Sequence, residues 1–162
     1  MFVKSDIALI IGKKNTGKTT LAKTLAKQLD NNYIYIDCIK TKDEQIEEIY
    51  YDKKKYNNTI IFDNYVESKN NIDLINLFIH NNNFTIIFVV QYIISNKINK
   101  ADVIYFAKEK YKSIIDRYYD KIKSYYKNKN KFVDNINKLK DYGFICIDKD
   151  KRDKKEELFM KI

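Results

Sequence analysis

The sequence contains no proline, no tryptophan, only three glycines and a single histidine, His80. One imidazole leaves zinc coordination and Ser-His-Asp catalysis almost without raw material. The two cysteines, Cys38 and Cys146, lack metal-type spacing and fall in strand-like runs. Buried reduced thiols in a cytosolic-type compartment are expected rather than a disulfide. Arginine is nearly missing too: of 31 basic residues only Arg117 and Arg152 are arginine. No apolar run reaches the roughly 18 residues of a membrane span, and the N-terminus does not have the form of a signal peptide. A cytoplasmic location is therefore expected.

What is abundant is lysine, asparagine, isoleucine and tyrosine. The net charge of +9 invites a nucleic-acid partner. The same four residues are encoded by AT-rich codons, so an AT-rich genome accounts for much of the lysine equally well. A hydrophobic fraction of 44% over 162 residues fits a globular chain with a real core. There is no repeat, linker or break in composition, so residues 1–162 are expected to form one domain.

Along the chain, apolar runs alternate with helical periodicity. Residues 6–12 (DIALIIG) read as a buried strand. Residues 18–30 follow as a helix with Leu21, Ala22, Leu25, Ala26 and Leu29 on one face. Further strands are expected at 32–38, 58–64, 84–91, 102–107 and 144–148, with a terminal one at 157–162. Thr41 and Glu44 suggest a capping box ahead of a short helix carrying Ile46, Ile49 and Tyr50. A helix near 70–80 would bury Ile72, Ile75, Phe78 and Ile79. A long helix over 109–127 would carry Tyr111, Ile114, Ile115, Tyr118, Tyr119 and Ile122 as a core-facing stripe rather than a platform for bases. One more helix would end at Gly143 as its C-cap. Continuous apolar strands alternating with helices predict an α/β three-layer sandwich around a mostly parallel central sheet.

The chemistry concentrates in GKKNTGKT, which matches G-x-x-x-x-G-K-[ST] at Gly12, Gly17, Lys18 and Thr19. Strand-before and helix-after is the context this phosphate-binding loop (P-loop) requires. Gly12, Lys13, Lys14, Asn15, Thr16, Gly17, Lys18, Thr19 and Thr20 would form the cradle, with backbone N–H groups and the helix N-terminus turned to the anion. Lys18 would reach the β and γ phosphates of ATP, and the Thr19 hydroxyl would bind Mg²⁺. Asp63, at the end of TIIFD, would be the second magnesium-side group, with Asp37 as a competitor on an earlier strand. Gln91 ends the fourth strand, where an amide can sense the γ-phosphate or orient the attacking water.

The ordered set GKKNTGKT, IIFDN and a strand ending in Gln resembles the FtsK/HerA-type P-loop ATPases, over roughly residues 5–148. Among these it is most similar to the genome-packaging ATPases of poxviruses and giant DNA viruses. The resemblance implies a P-loop NTPase fold with an extra strand between the P-loop and Asp63 strands. It also implies an ATPase, converting ATP and water to ADP and phosphate with stimulation by DNA. Such a motor would form a homo-oligomeric ring, a pentamer or hexamer, that drives double-stranded DNA into a capsid. Capsid proteins would be further partners, and host cytoplasm or virion the setting.

Two departures from the family pattern stand out. Asn64 occupies the position of the family's second acid, and an amide cannot take a proton from water. Glu67, a few residues on, is the substitute base. No arginine follows the Gln strand, where Lys97 and Lys100 stand instead, and Arg117 is the nearest candidate finger. Lysines from Lys121 to Lys131 could meet DNA phosphates or cover a solvated helix end. Two alternatives remain on the residues alone: a small nucleoside or nucleotide kinase, and a nucleotide-binding subunit with weak catalysis. The kinase is disfavoured because its lid would need clustered arginines.

Overall fold

The computed structural model describes residues 6–67, 69–92, 100–124, 126–149 and 158–161. Seven strands form one sheet: β1 (Ile7–Ile11), β2 (Ile34–Asp37), β3 (Asn58–Asp63), β4 (Phe84–Val90), β5 (Val103–Ala107), β6 (Gly143–Asp148) and β7 (Leu158–Lys161). Five helices are described: α1 (Lys18–Leu29), α2 (Asp43–Lys53), α3 (Ile72–His80), α4 (Lys112–Ile122) and α5 (Lys129–Lys138). The strand order is β2-β3-β4-β1-β5-β6-β7. Strands β1 to β5 pair in parallel, whereas β6 and β7 add on antiparallel. The expected extra strand is present, since β4 lies between β1 and β3.

The central strands carry no polar face because both sides of the sheet are covered. β1 and β4 read IALII and FTIIFVV, and all of β4 is buried. On one side Ala8, Ile10, Ile61, Ile87 and Val89 pack with Leu21, Ala22, Leu25 and Ala26 of α1. On the other, Leu9, Phe62 and Phe88 meet Ile46 of α2 and Leu74, Ile75 and Phe78 of α3. Phe106 on that face meets Ile115 and Tyr118 of α4 and Phe132 and Ile136 of α5. Among the described helices, α1 faces the other four across the sheet. Cys38 packs on the face away from α1 and Cys146 on the α1 side, so the sheet itself separates the two thiols. Burial, reinforced by the charges of Asp37 and Asp63, pushes the Cys38 thiol up to about 12. No described helix is long and apolar enough to cross a membrane.

Several local expectations shift. The N-cap of α2 is Lys42, not Thr41, and Gln45 Oε1 accepts from the Lys42 N–H at 3.0 Å. Ile72 is exposed at the first turn of α3, where the Asn71 side chain caps the Leu74 N–H. The long helix over 109–127 is shorter, 112–122, and Tyr111 stands exposed at its N-cap. Gly143 is not a helix cap; α5 ends at Lys138 and Gly143 opens β6. A Cβ on Gly143 would lie 3.0 Å from the Lys140 carbonyl oxygen, which explains the glycine without any special backbone angle. The left-handed residue in this turn is Tyr142, at φ 62°. Such a conformation costs a side-chain-bearing residue about 1–2 kcal/mol.

Candidate functional site

β1 ends against α1 through a loop that needs both of its glycines. A Cβ on Gly12 would sit 2.4 Å from the Ala107 Cβ on neighbouring β5 and 3.0 Å from Thr16 Oγ1. Gly17, at φ 84°, is the N-cap of α1 in left-handed geometry. The strand–loop–helix unit can turn this tightly only because one position has no Cβ and the other carries positive φ. Gly12→Ala should lower stability by about 1–3 kcal/mol through overpacking. A thermal melt would read this as a clear drop in Tm, and an unchanged Tm would contradict the close packing.

Within the loop the Lys18 Nζ donates to the Lys13 carbonyl at 2.6 Å, and Thr16 Oγ1 donates to the same oxygen at 2.9 Å. Lys18 is buried. Desolvation lowers its pKa and the Asp63 charge partly opposes that. A poorly solvated ammonium beside a helix N-terminus is chemically suited to an anion. Asn15, also left-handed at φ 63°, lies in the turn between β1 and α1.

Asp63 ends β3 and points to the α1 side, as strand alternation from Ile61 requires. It is 3% exposed. Its Oδ2 accepts from the Thr19 hydroxyl at 2.7 Å and from the Tyr35 hydroxyl at 2.7 Å. Its Oδ1 accepts from the Asn64 N–H at 2.8 Å. The competing Asp37 lies beside Asp63 in the β2–β3 register, but it accepts from Asn64 Nδ2 at 3.2 Å and from the Ile39 N–H. Asn64 adopts φ 55°, a region asparagine tolerates, and its amide is turned to Asp37. A hydroxyl and a buried carboxylate 2.7 Å apart are two hard oxygen donors. That donor set fits Mg²⁺, which takes one or two protein oxygens and completes its shell with phosphate and water.

Gln91 is exposed just past β4 and joins two hollows. One, of about 400 Å³, brings it together with Asn64 and the half-buried Glu67. The other, of about 490 Å³, places it with Lys13, Glu109 and Arg117. Arg117 therefore faces the loop of its own chain. Lys97 lies outside the described residues, and Lys100 is exposed. Of the lysines from 121 to 131, Lys123 pairs with Asp120 at 3.8 Å and Lys129 with Asp116 at 2.9 Å.

Sequence reasoning missed Tyr35 and Glu109. Tyr35, on edge strand β2, has the Lys23 ammonium 4.6 Å over its ring. Burial, followed by the Asp63 carboxylate, drives its hydroxyl well above the usual phenol range, so it stays a donor. Nothing in YIYID marks it, because the contact spans 28 residues. Glu109, between β5 and α4, is buried. Its Oε1 accepts from the N–H groups of Lys110 at 2.7 Å and Tyr111 at 3.1 Å.

A family model described as "AAA domain" matches residues 4–90. No curated protein matches the chain. Solved structures do. The genome packaging NTPase B204 from Sulfolobus turreted icosahedral virus 2, in complex with AMP, aligns with TM-score 0.66 at 15% identity, covering 91% of this chain and 94% of that one. Its complex with AMPPCP aligns with TM-score 0.66 at 17% identity, over the same shares. B204, the DNA-packaging ATPase from Sulfolobus turreted icosahedral virus, aligns with TM-score 0.62 at 14% identity over 99% of this chain and 97% of that one. At these identities the likeness establishes the fold.

Proposed function

The chain belongs to the AAA domain family, and on that premise we propose that it is an ATP-hydrolysing motor that moves double-stranded DNA, packaging a viral genome into capsids. The observation that carries the reading is β4 lying between the P-loop strand and the Asp63 strand. This arrangement suits a motor that senses the γ-phosphate from an inserted strand. A small kinase with the P-loop and Asp63 strands adjacent would lack it. The packaging NTPases matched over nearly their whole length support the same reading.

In the proposed reaction the loop N–H groups and Lys18 hold the triphosphate, with Thr19 and Asp63 on the magnesium side. Mg²⁺, when bound, neutralises charge on the β and γ oxygens. Gln91 faces the γ-phosphate and orients the water. Asn64 cannot accept a proton, and its amide is engaged with Asp37. Glu67, which shares a hollow with Gln91, is then the base.

Tyr35 holds Asp63 Oδ2 in the orientation the metal needs. Tyr35→Phe should leave folding intact and raise the Mg²⁺ concentration for half-maximal ATPase activity about tenfold. An unchanged Mg²⁺ titration would show that the hydroxyl does not position the carboxylate. For the motor, solution mass with an ATP analogue and duplex DNA should rise to a pentamer or hexamer. A strict monomer under every condition would count against a ring.

A further inference from the structure

A third hollow, of about 270 Å³, opens on the other side of the P-loop from Asp63. It is lined by loop residues 13–16 together with Lys108, Lys110, Asp141 and Tyr142. Topology puts these segments together. β6 runs antiparallel to β5 with Ala107 opposite Phe144, so the turn before β6 lies at the same sheet edge as the loop. The order β3-β4-β1-β5-β6 sets Asp63 on one flank of the loop and this turn on the other. Terminal phosphates at Lys18 and the Thr19–Asp63 pair would leave this hollow, on the β5–β6 flank, for the nucleoside.

What waits there is an exposed aromatic ring in a conformation tyrosine rarely adopts. Tyr142 is 56% exposed, so core packing does not explain it. Its φ of 62° falls in a tight turn closed by the Gly143 N–H on the Lys140 carbonyl at 3.0 Å, in the place where such turns favour glycine or asparagine. Backbone outliers of this kind gather at functional sites. The preceding residue is tied down as well, because Lys108 Nζ donates to Asp141 Oδ1 at 3.0 Å and fastens the turn to the end of β5.

We infer that Tyr142 is the base platform of this nucleotide site: the nucleobase of a bound nucleoside triphosphate stacks on its ring, while the Lys108–Asp141 pair holds the turn in place. None of the side chains lining the hollow is buried. The base is thus held by its face rather than read along its edge. Stacking tolerates any base, so ATP and GTP should bind within a few-fold of each other. The inference rests on the nucleotide-binding reading above and adds to it where the nucleoside lies.

Calorimetric binding of ATP and of inorganic tripolyphosphate to the full chain, with Mg²⁺, tests it. Tyr142→Ala should weaken ATP about tenfold or more and leave tripolyphosphate unchanged, while Tyr142→Phe keeps ATP affinity within about twofold. Tyr142→Asn, which suits the left-handed angle but has no ring, should raise Tm and still lose ATP affinity, separating stacking from misfolding. If Tyr142→Ala binds ATP as the parent does, the platform is overturned and nucleotide binding stands. Equal weakening of ATP and tripolyphosphate also overturns it, because the turn would then act through the shape of the loop. A parent chain that binds neither ligand would overturn the nucleotide reading together with the platform.

Discussion

Lys18→Ala should reduce ATP hydrolysis by about 10²–10³-fold or more, because it removes a buried ammonium held against the loop. The folded chain should survive the change. Among the described residues the Lys18 Nζ bonds a loop carbonyl alone, and burial disfavours its charge more than Asp63 favours it. The β1–α1 unit is held instead by Ala8, Ile10, Leu21, Ala22, Leu25 and Ala26. Phosphate release and a thermal melt on the same sample give the two readings. A lost activity with an unchanged Tm assigns Lys18 to the chemistry. A retained activity would move the phosphate site elsewhere.

The second large effect falls on Asp63, where the two obvious substitutions should separate. Asp63→Asn keeps the shape and one acceptor oxygen but removes the charge opposite Lys18. Turnover should fall about a hundredfold or more, with only a small change in Tm. Asp63→Ala also removes the shared acceptor of the Thr19 and Tyr35 hydroxyls and of the Asn64 N–H. Unpaired buried donors cost about 1–3 kcal/mol, so this variant should lose activity and melt lower as well. If Asp63→Asn hydrolyses ATP at the parent rate across a Mg²⁺ titration, the carboxylate is a structural anchor for β2, β3 and α1 and has no metal role.

Patterns read within one element carried much of the fold. Continuous Ile, Val and Phe runs located the strands because a strand covered on both faces has no polar alternation to confuse. Gly12 and Gly17 were legible because a chain with three glycines uses them where a Cβ cannot fit or the backbone is left-handed. Features set by distant partners were hidden. The antiparallel direction of β6 depends on how α4 and α5 return the chain, and FICID reads the same in either direction. The helical periodicity from 109 to 127 continued beyond the helix because Tyr126 packs on the same core after α4 has ended at Ile122. Gly143 marks the turn before β6, but as the start of a strand and not as a helix cap. The strained residue is its neighbour Tyr142, and a tyrosine carries no sequence signal for positive φ. Tyr35 and Glu109 were missed likewise, since a hydroxyl on an edge strand and a carboxylate ahead of a helix look like ordinary surface until the fold brings partners to them.

The basic charge gains a narrower meaning in the structure. Lys123 and Lys129 are paired with Asp120 and Asp116, so part of the α4–α5 lysine run is neutralised within the chain. Whether the remaining charge serves DNA is a question of coupling to the loop, and coupling is measurable. Phosphate release from ATP by the purified chain, with and without duplex DNA, tests the central claim most directly. The motor predicts Mg²⁺-dependent release that rises several-fold with duplex DNA, weakens with added salt, and vanishes in Lys18→Ala. Phosphate appearing on an added nucleoside, or a rate indifferent to DNA at every salt concentration, would contradict it.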